Sequence, residues 1–179
     1  MADALLVMDM LNDFLKEGAP LEVPMGREIV PKIKERIKIC GDAGGSIFFL
    51  NDNHDMDDKE FKDWPKHAIK DTNGANLCDE LQEEYLRTGH YSYDPRIIHK
   101  RTYSGFLQTG LWELTRRRVI WKIYITGILT NICVFITAIE AKMRGYETFV
   151  YRDSVAALTQ EANDRALEEL EKVFKIQIV

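Results

Sequence analysis

Several things are scarce in this chain, and each scarcity removes a class of function. Basic residues are outnumbered, 24 Lys and Arg against 29 Asp and Glu, and a formal net charge of -5 argues against a general nucleic-acid binder. The one basic cluster, Arg116 to Arg118, sits where a helix should end and reads as charge complementing that helix's dipole. No run of 18 or more apolar residues suggests a membrane span. The first residues enter a strand pattern by Ala4, so no signal peptide is expected. Cysteine is rare: Cys40, Cys78 and Cys133 are an odd number without a CxxC spacing. That fits a reducing compartment better than a disulfide framework, so a cytoplasmic location is expected. Internal repeats, low-complexity tracts and domain linkers are also missing.

What is present is a regular alternation. The 179 residues fit one domain spanning 1–179, long enough to bury about 70% of the surface its unfolded chain would expose. Strand-like apolar runs occur at Ala4–Met8, Ser46–Leu50, Ile97–His99, Ile120–Thr126, Thr148–Tyr151 and Lys175–Val179. Helical spacing connects Ile29, Ile33, Ile37 and Cys40, and runs through Leu107–Thr115, Asn131–Arg144 and Glu161–Val173. Strands alternating with helices predict an α/β, three-layer α-β-α sandwich: a six-stranded, mainly parallel sheet with helices on both faces.

In such a fold, ligands bind where the strands end at their carboxyl edge. The segment 51–74, polar and holding two of the four histidines, leaves that edge after the second strand as a long loop of the kind that carries function. The same edge should carry Asp9, Asp52, Lys100 and Cys133. Cys133 reads either as a small core hydrophobe or as a nucleophile in the first turn of a helix, where the dipole favours thiolate. Helical geometry separates the two readings, because Ile132, Phe135, Ile136, Ile139 and Met143 form the apolar stripe and Cys133 falls outside it. Asp9, at the end of a buried strand, reads as a cap or turn residue or as a base whose pKa burial raises.

In combination these residues are more specific. Asp9 within DMLNDF, Lys100 ahead of RTYSGF, and Cys133 after the Gly-x-x-Thr turn of Gly127–Thr130 resemble the isochorismatase-like cysteine hydrolases, which include nicotinamidases and N-carbamoylsarcosine amidases. The resemblance covers essentially the entire chain, with one departure: Leu11 stands where the family's DxQxDF motif has Gln. It implies that Cys133 is the nucleophile, Asp9 the base, and Lys100 the cation holding thiolate and carboxylate. On that reading Lys100 and the helix terminus lower the Cys133 pKa. It also implies a non-proline cis peptide at Ile128–Leu129, turning the N–H groups of Leu129 and Cys133 toward a developing oxyanion.

Asp52, His54 and His67, in the pattern DxH…WPxH, resemble the nicotinamidase metal motif and imply a divalent ion, with Zn, Fe or Mn as candidates. Where those enzymes usually have a third histidine, the expected ligand is Asp58, with Asp57 or Glu60 as substitutes; a carboxylate there favours a harder ion such as Mn or Mg. The aromatic usual between Asp and His is replaced by Asn53. Phe14 and Trp64 match the family's substrate-stacking positions and read equally as pocket or core aromatics; Tyr103 and Phe106 carry the same two readings.

The resemblance therefore implies hydrolysis of a small non-peptide amide, with no organic cofactor, no nucleic acid and no membrane. The rival substrate is a ureido acid such as N-carbamoylsarcosine, whose carboxylate needs a cationic clamp from Lys66, Lys70 or Arg101. Isochorismatase-type vinyl ether hydrolysis ranks third, and a non-catalytic binding or thiol-sensing protein on the same fold is the remaining class. A homo-oligomer is expected, with Tyr91 and Tyr93 in the segment 87–96 as a candidate contact.

Overall fold

The computed structural model describes residues 2–88 and 96–179, so Tyr91 and Tyr93 lie outside the described residues. Six strands, β1 (Ala2–Met8), β2 (Ser46–Asp52), β3 (Arg96–Lys100), β4 (Ile120–Ile128), β5 (Glu147–Ala156) and β6 (Gln177–Ile178), form one sheet. The order is β3-β2-β1-β4-β5-β6, and every neighbouring pair is parallel. The order reverses direction between β1 and β4, so the crevice at this switch point opens above the ends of those two strands.

Successive residues along a strand face opposite ways, and here both sides are apolar, which is why the strands read as continuous hydrophobic runs. Leu6, Met8, Phe48, Leu50, Ile123 and Ile125 face one core, closed by α4 (Leu111–Arg117), α5 (Phe135–Met143) and α6 (Gln160–Lys172). Leu5, Val7, Ile47 and Phe49 face the other, closed by α1 (Asn12–Leu15), α2 (Pro24–Asp42) and α3 (Asp79–Thr88). The sheet with its two helical layers is the expected sandwich.

Boundaries moved where local chemistry overrode periodicity. Helix α2 begins at Pro24, whose fixed φ suits a first helical turn, rather than near Ile29. Helix α4 starts four residues later than expected, because Gln108 takes a left-handed φ of 57° that a helix cannot include. Arg116 and Arg117 fill its last turn, where the basic cluster was expected. Helix α3 was not among the helical runs read from spacing: among the described side chains of DELQEEYLRT, Leu81 is fully buried, in a segment otherwise rich in carboxylates. The last strand shrinks to two residues after a left-handed Lys175.

Gly127 fixes how closely β4 approaches β1. Its φ is +105°, and a Cβ there would lie 2.1 Å from the Met8 carbonyl oxygen. No other residue type satisfies both conditions.

Candidate active site

Asp9 leaves β1 with φ 51°, its N–H held by the Leu50 carbonyl at 2.9 Å. This bend turns its carboxylate back over the sheet, where Oδ1 accepts the Asp52 N–H at 2.8 Å. Lys100 ends β3, level with Asp52 on β2, and its long side chain crosses the strand ends while remaining 1% exposed. Its Nζ lies 2.8 Å from Asp9 Oδ2, 2.6 Å from Asp52 Oδ1 and 3.5 Å from Cys133 Sγ. One ammonium thus touches all three groups, each arriving from a different strand end.

Burial works to lower the Lys100 pKa, but Asp52 and Asp9 outweigh it and hold the group well above its usual value. Burial raises Asp9 to about 7, reinforced by Asp52 and opposed by Lys100. Burial also drives the Cys133 thiol well above its usual value; Lys100 opposes this, while Asp9 and Asp52 add to it. The expectation that Lys100 and the helix terminus leave a depressed Cys133 pKa is therefore corrected in direction. At 7% exposure beside two carboxylates, Cys133 keeps its proton at rest.

Cys133 also lies in no ordinary first turn. Thr130–Val134 form a π-helical turn, a form associated with functional sites, before α5 begins. Thr130 donates to Asn163 Oδ1 at 2.6 Å, tying that turn to α6. The peptide Ile128–Leu129 is cis, as the resemblance implied.

Asp52, His54 and His67 present ligating atoms within 4.8 Å of one another. His54 Nε2 lies 3.8 Å from Asp52 Oδ1, and His67 Nε2 lies 3.9 Å from Asp52 Oδ2. The backs of both rings are occupied. His67 Nδ1 is 2.7 Å from the Pro65 carbonyl, and His54 Nδ1 is 3.1 Å from Asp58 Oδ2. His54 Nε2 is left buried without a partner. Burial alone would lower the His54 pKa, but Asp52 and Asp58 raise it to about 9, so this corner attracts positive charge. Burial lowers His67. An orphaned buried imidazole nitrogen among carboxylates is a donor set that fits a divalent ion.

The expected ligand Asp58 stands behind His54 rather than in front of it. Glu60, previously a substitute, is the carboxylate that faces the set, with Oε1 3.9 Å from His67 Nε2. The 3₁₀ turn Lys59–Lys62 accompanies this exchange: Asp58 caps it with Oδ1, which accepts the Glu60 N–H, while its Oδ2 stays on His54 Nδ1 and Glu60 lines the cleft.

Beside both clusters lies a narrow cleft of about 30 Å³, walled by Phe14, Leu21, Trp64, Tyr103, Leu129 and Ile132. Trp64 Nε1 donates to Tyr103 Oη at 3.0 Å, joining two of these walls. Phe14 packs tilted against His67 with ring centroids 5.4 Å apart. Phe106 is a correction. It is 3% exposed and stacked on Tyr146 in the core beneath α4 and α5, and it does not border the cleft. Leu21 and Ile132 line the cleft without having been singled out for it, and of the two only Ile132, adjacent to Cys133, left a positional signal. Lys66, Lys70 and Arg101 stay outside the cleft, and Arg101 pairs with Asp55 at 2.5 Å. Cys40 and Cys78 belong to the opposite core from Cys133, and all three thiols are free.

The doubly wound α/β fold gathers the buried Asp9, Lys100 and Cys133 at its switch point, which marks this edge as the candidate site. The isochorismatase domain model matches residues 3–178. The chain is similar to the nicotinamidase/pyrazinamidase PncA from Bacillus subtilis, with a TM-score of 0.94 and 29% identity over 100% of both chains. It is also similar to the pyrazinamidase of Pyrococcus horikoshii in complex with zinc, at TM-score 0.87 and 33% identity over 100% and 99% of the two chains. Against N-carbamoylsarcosine amidase from Thermoplasma acidophilum the TM-score is 0.84 and the identity 28%, over 99% and 95%. The chain belongs to the isochorismatase family.

Proposed function

We propose that this amidohydrolase uses Cys133 to release ammonia from a small aromatic carboxamide of the nicotinamide type. The observation that carries the reading is Lys100 Nζ in contact with Asp9, Asp52 and Cys133 at once. Asp9, with a pKa near 7, takes the proton of Cys133 as Sγ attacks the carboxamide carbon. Lys100 holds the thiolate and carboxylate in register during that transfer. The turn at Ile128 and Leu129 offers backbone N–H groups to the oxyanion. The tetrahedral adduct expels ammonia with the proton from Asp9, leaving a thioester on Cys133. Water, losing a proton to Asp9, hydrolyses that thioester to the carboxylic acid and restores the thiol.

A divalent ion held by Asp52, His54, Glu60 and His67 would supply a Lewis-acid contact for a heteroaromatic ring nitrogen. Phe14 and Trp64 supply the flat walls that orient such a ring. The ureido-acid alternative is less well served, because none of the three candidate clamp cations borders the cleft. Ammonia release measured over nicotinamide, pyrazinamide and N-carbamoylsarcosine, with and without divalent metal, tests the reading. Turnover of the two aromatic amides supports it; turnover of the ureido acid alone, or of none, refutes it.

A further inference from the structure

We infer that Asp13 is a positioning residue for the metal set, acting through the peptide of Ala68 to aim His67 and His54 at one point. This rests on the reading that the set binds a divalent ion.

Asp13 is the second residue of α1, and its Oδ2 accepts the Ala68 N–H at 2.8 Å, across 55 residues of chain. Ala68 directly follows His67, is fully buried, and has φ +43°. A non-glycine residue holds the left-handed region only where its surroundings demand it. The other side of Ala68 serves the second histidine, because its carbonyl accepts the backbone N–H of His54 at 3.0 Å. One left-handed residue is therefore the junction from which both histidines are directed, and the Asp13 carboxylate holds that junction.

The carboxylate is itself confined. A Cβ on Gly74 would fall 2.1–2.3 Å from its Oδ2, Cγ and Oδ1, so any residue larger than glycine there must push the carboxylate aside. Asn12, the residue before it, pins the same loop by donating to the Asn73 carbonyl at 2.9 Å. Asp13 touches no reacting atom and is absent from the ligand set; its effect passes through the backbone.

The test is the zinc affinity of the metal-stripped full chain, measured by competition with a chromogenic chelator alongside thermal melting of each metal-free variant. Asp13→Ala removes the acceptor and should weaken zinc about 10- to 100-fold, the usual range for groups that orient metal ligands. Asp13→Asn keeps an acceptor oxygen and should stay within about fivefold of wild type, as a neutral bond replaces a charge-assisted one. Gly74→Ala displaces the carboxylate without removing it and should weaken zinc as Asp13→Ala does; it carries the comparison if Asp13→Ala fails to fold. A staple that served folding alone would lower the melting temperature and leave zinc affinity unchanged. Alanine variants within about threefold of wild type, or Asp13→Asn as weak as Asp13→Ala, would overturn the role of Asp13 and leave the metal reading standing. A wild-type chain that binds no zinc would overturn both.

Discussion

Asp9 and Cys133 form an acid–thiol pair whose proton has two homes, and burial decides which. With Cys133 pushed well above its usual pKa and Asp9 raised to about 7, the proton rests on sulfur and the carboxylate stands ready near neutrality. The sign of the pH dependence follows. Below about 7 Asp9 is protonated and cannot accept, so kcat/KM should fall as pH drops through that value and level off above it. A profile between pH 5 and 8.5 that stays flat would contradict the assignment. Lys100 carries a different expectation. Lys100→Met removes the ammonium that bridges two buried carboxylates and should cost about 3–5 kcal/mol in denaturant unfolding, together with activity. Stability within about 1 kcal/mol of wild type would mean that the carboxylates do not depend on it.

Residue types were legible from the sequence, while directions were not. Asp9, Lys100 and Cys133 could be placed at strand ends because the apolar runs before them fix where each strand stops. The balance between burial and Lys100 acting on the Cys133 thiol depends on distances that spacing does not contain. Asp58 and Glu60 show the same limit: both are carboxylates in one loop, and only the 3₁₀ turn reveals which of them faces the histidines.

At the scale of elements, the parallel pairing of β1 with β4 sets the site. Gly127 admits the Met8 carbonyl, and Asp9 follows Met8 directly, so the spacing of β1 from β4 also fixes Asp9 against the Cys133 turn. Gly127→Ala should destabilise by at least about 1–3 kcal/mol from its backbone conformation alone, with the steric overlap in addition. Its melting temperature checks this; an unchanged value would mean that the strands can separate without cost. Strands were legible because they are buried on both faces, whereas α3 was hidden among the carboxylates of DELQEEYLRT. The π-helical turn at Thr130–Val134 left no periodic trace, since five residues are too few to separate it from the helix it precedes.

The molecule divides its tasks between a closed scaffold and a metal corner. Two cores hold the sheet from both faces, and the histidines belong to a loop fastened onto one edge. Chelation should therefore leave the secondary structure intact, as read by circular dichroism, while abolishing ammonia release from aromatic amides. Zinc at 100 times its dissociation constant should then restore activity and add about 2.7 kcal/mol of stability. A chelated enzyme with full activity would remove the ion from the reaction. Among the described residues no helix is long and apolar enough to cross a membrane.

The central claim is that Cys133 carries the acyl group between ammonia release and hydrolysis. Rapid quenching of wild type and Cys133→Ala with nicotinamide, followed by peptide mass spectrometry, tests it most directly. The account predicts an acyl thioester on the Cys133 peptide of wild type, no adduct in the variant, and at least about a 1,000-fold loss of ammonia release in the variant. Ammonia release by Cys133→Ala at the wild-type rate, or an adduct on any other residue, would contradict it.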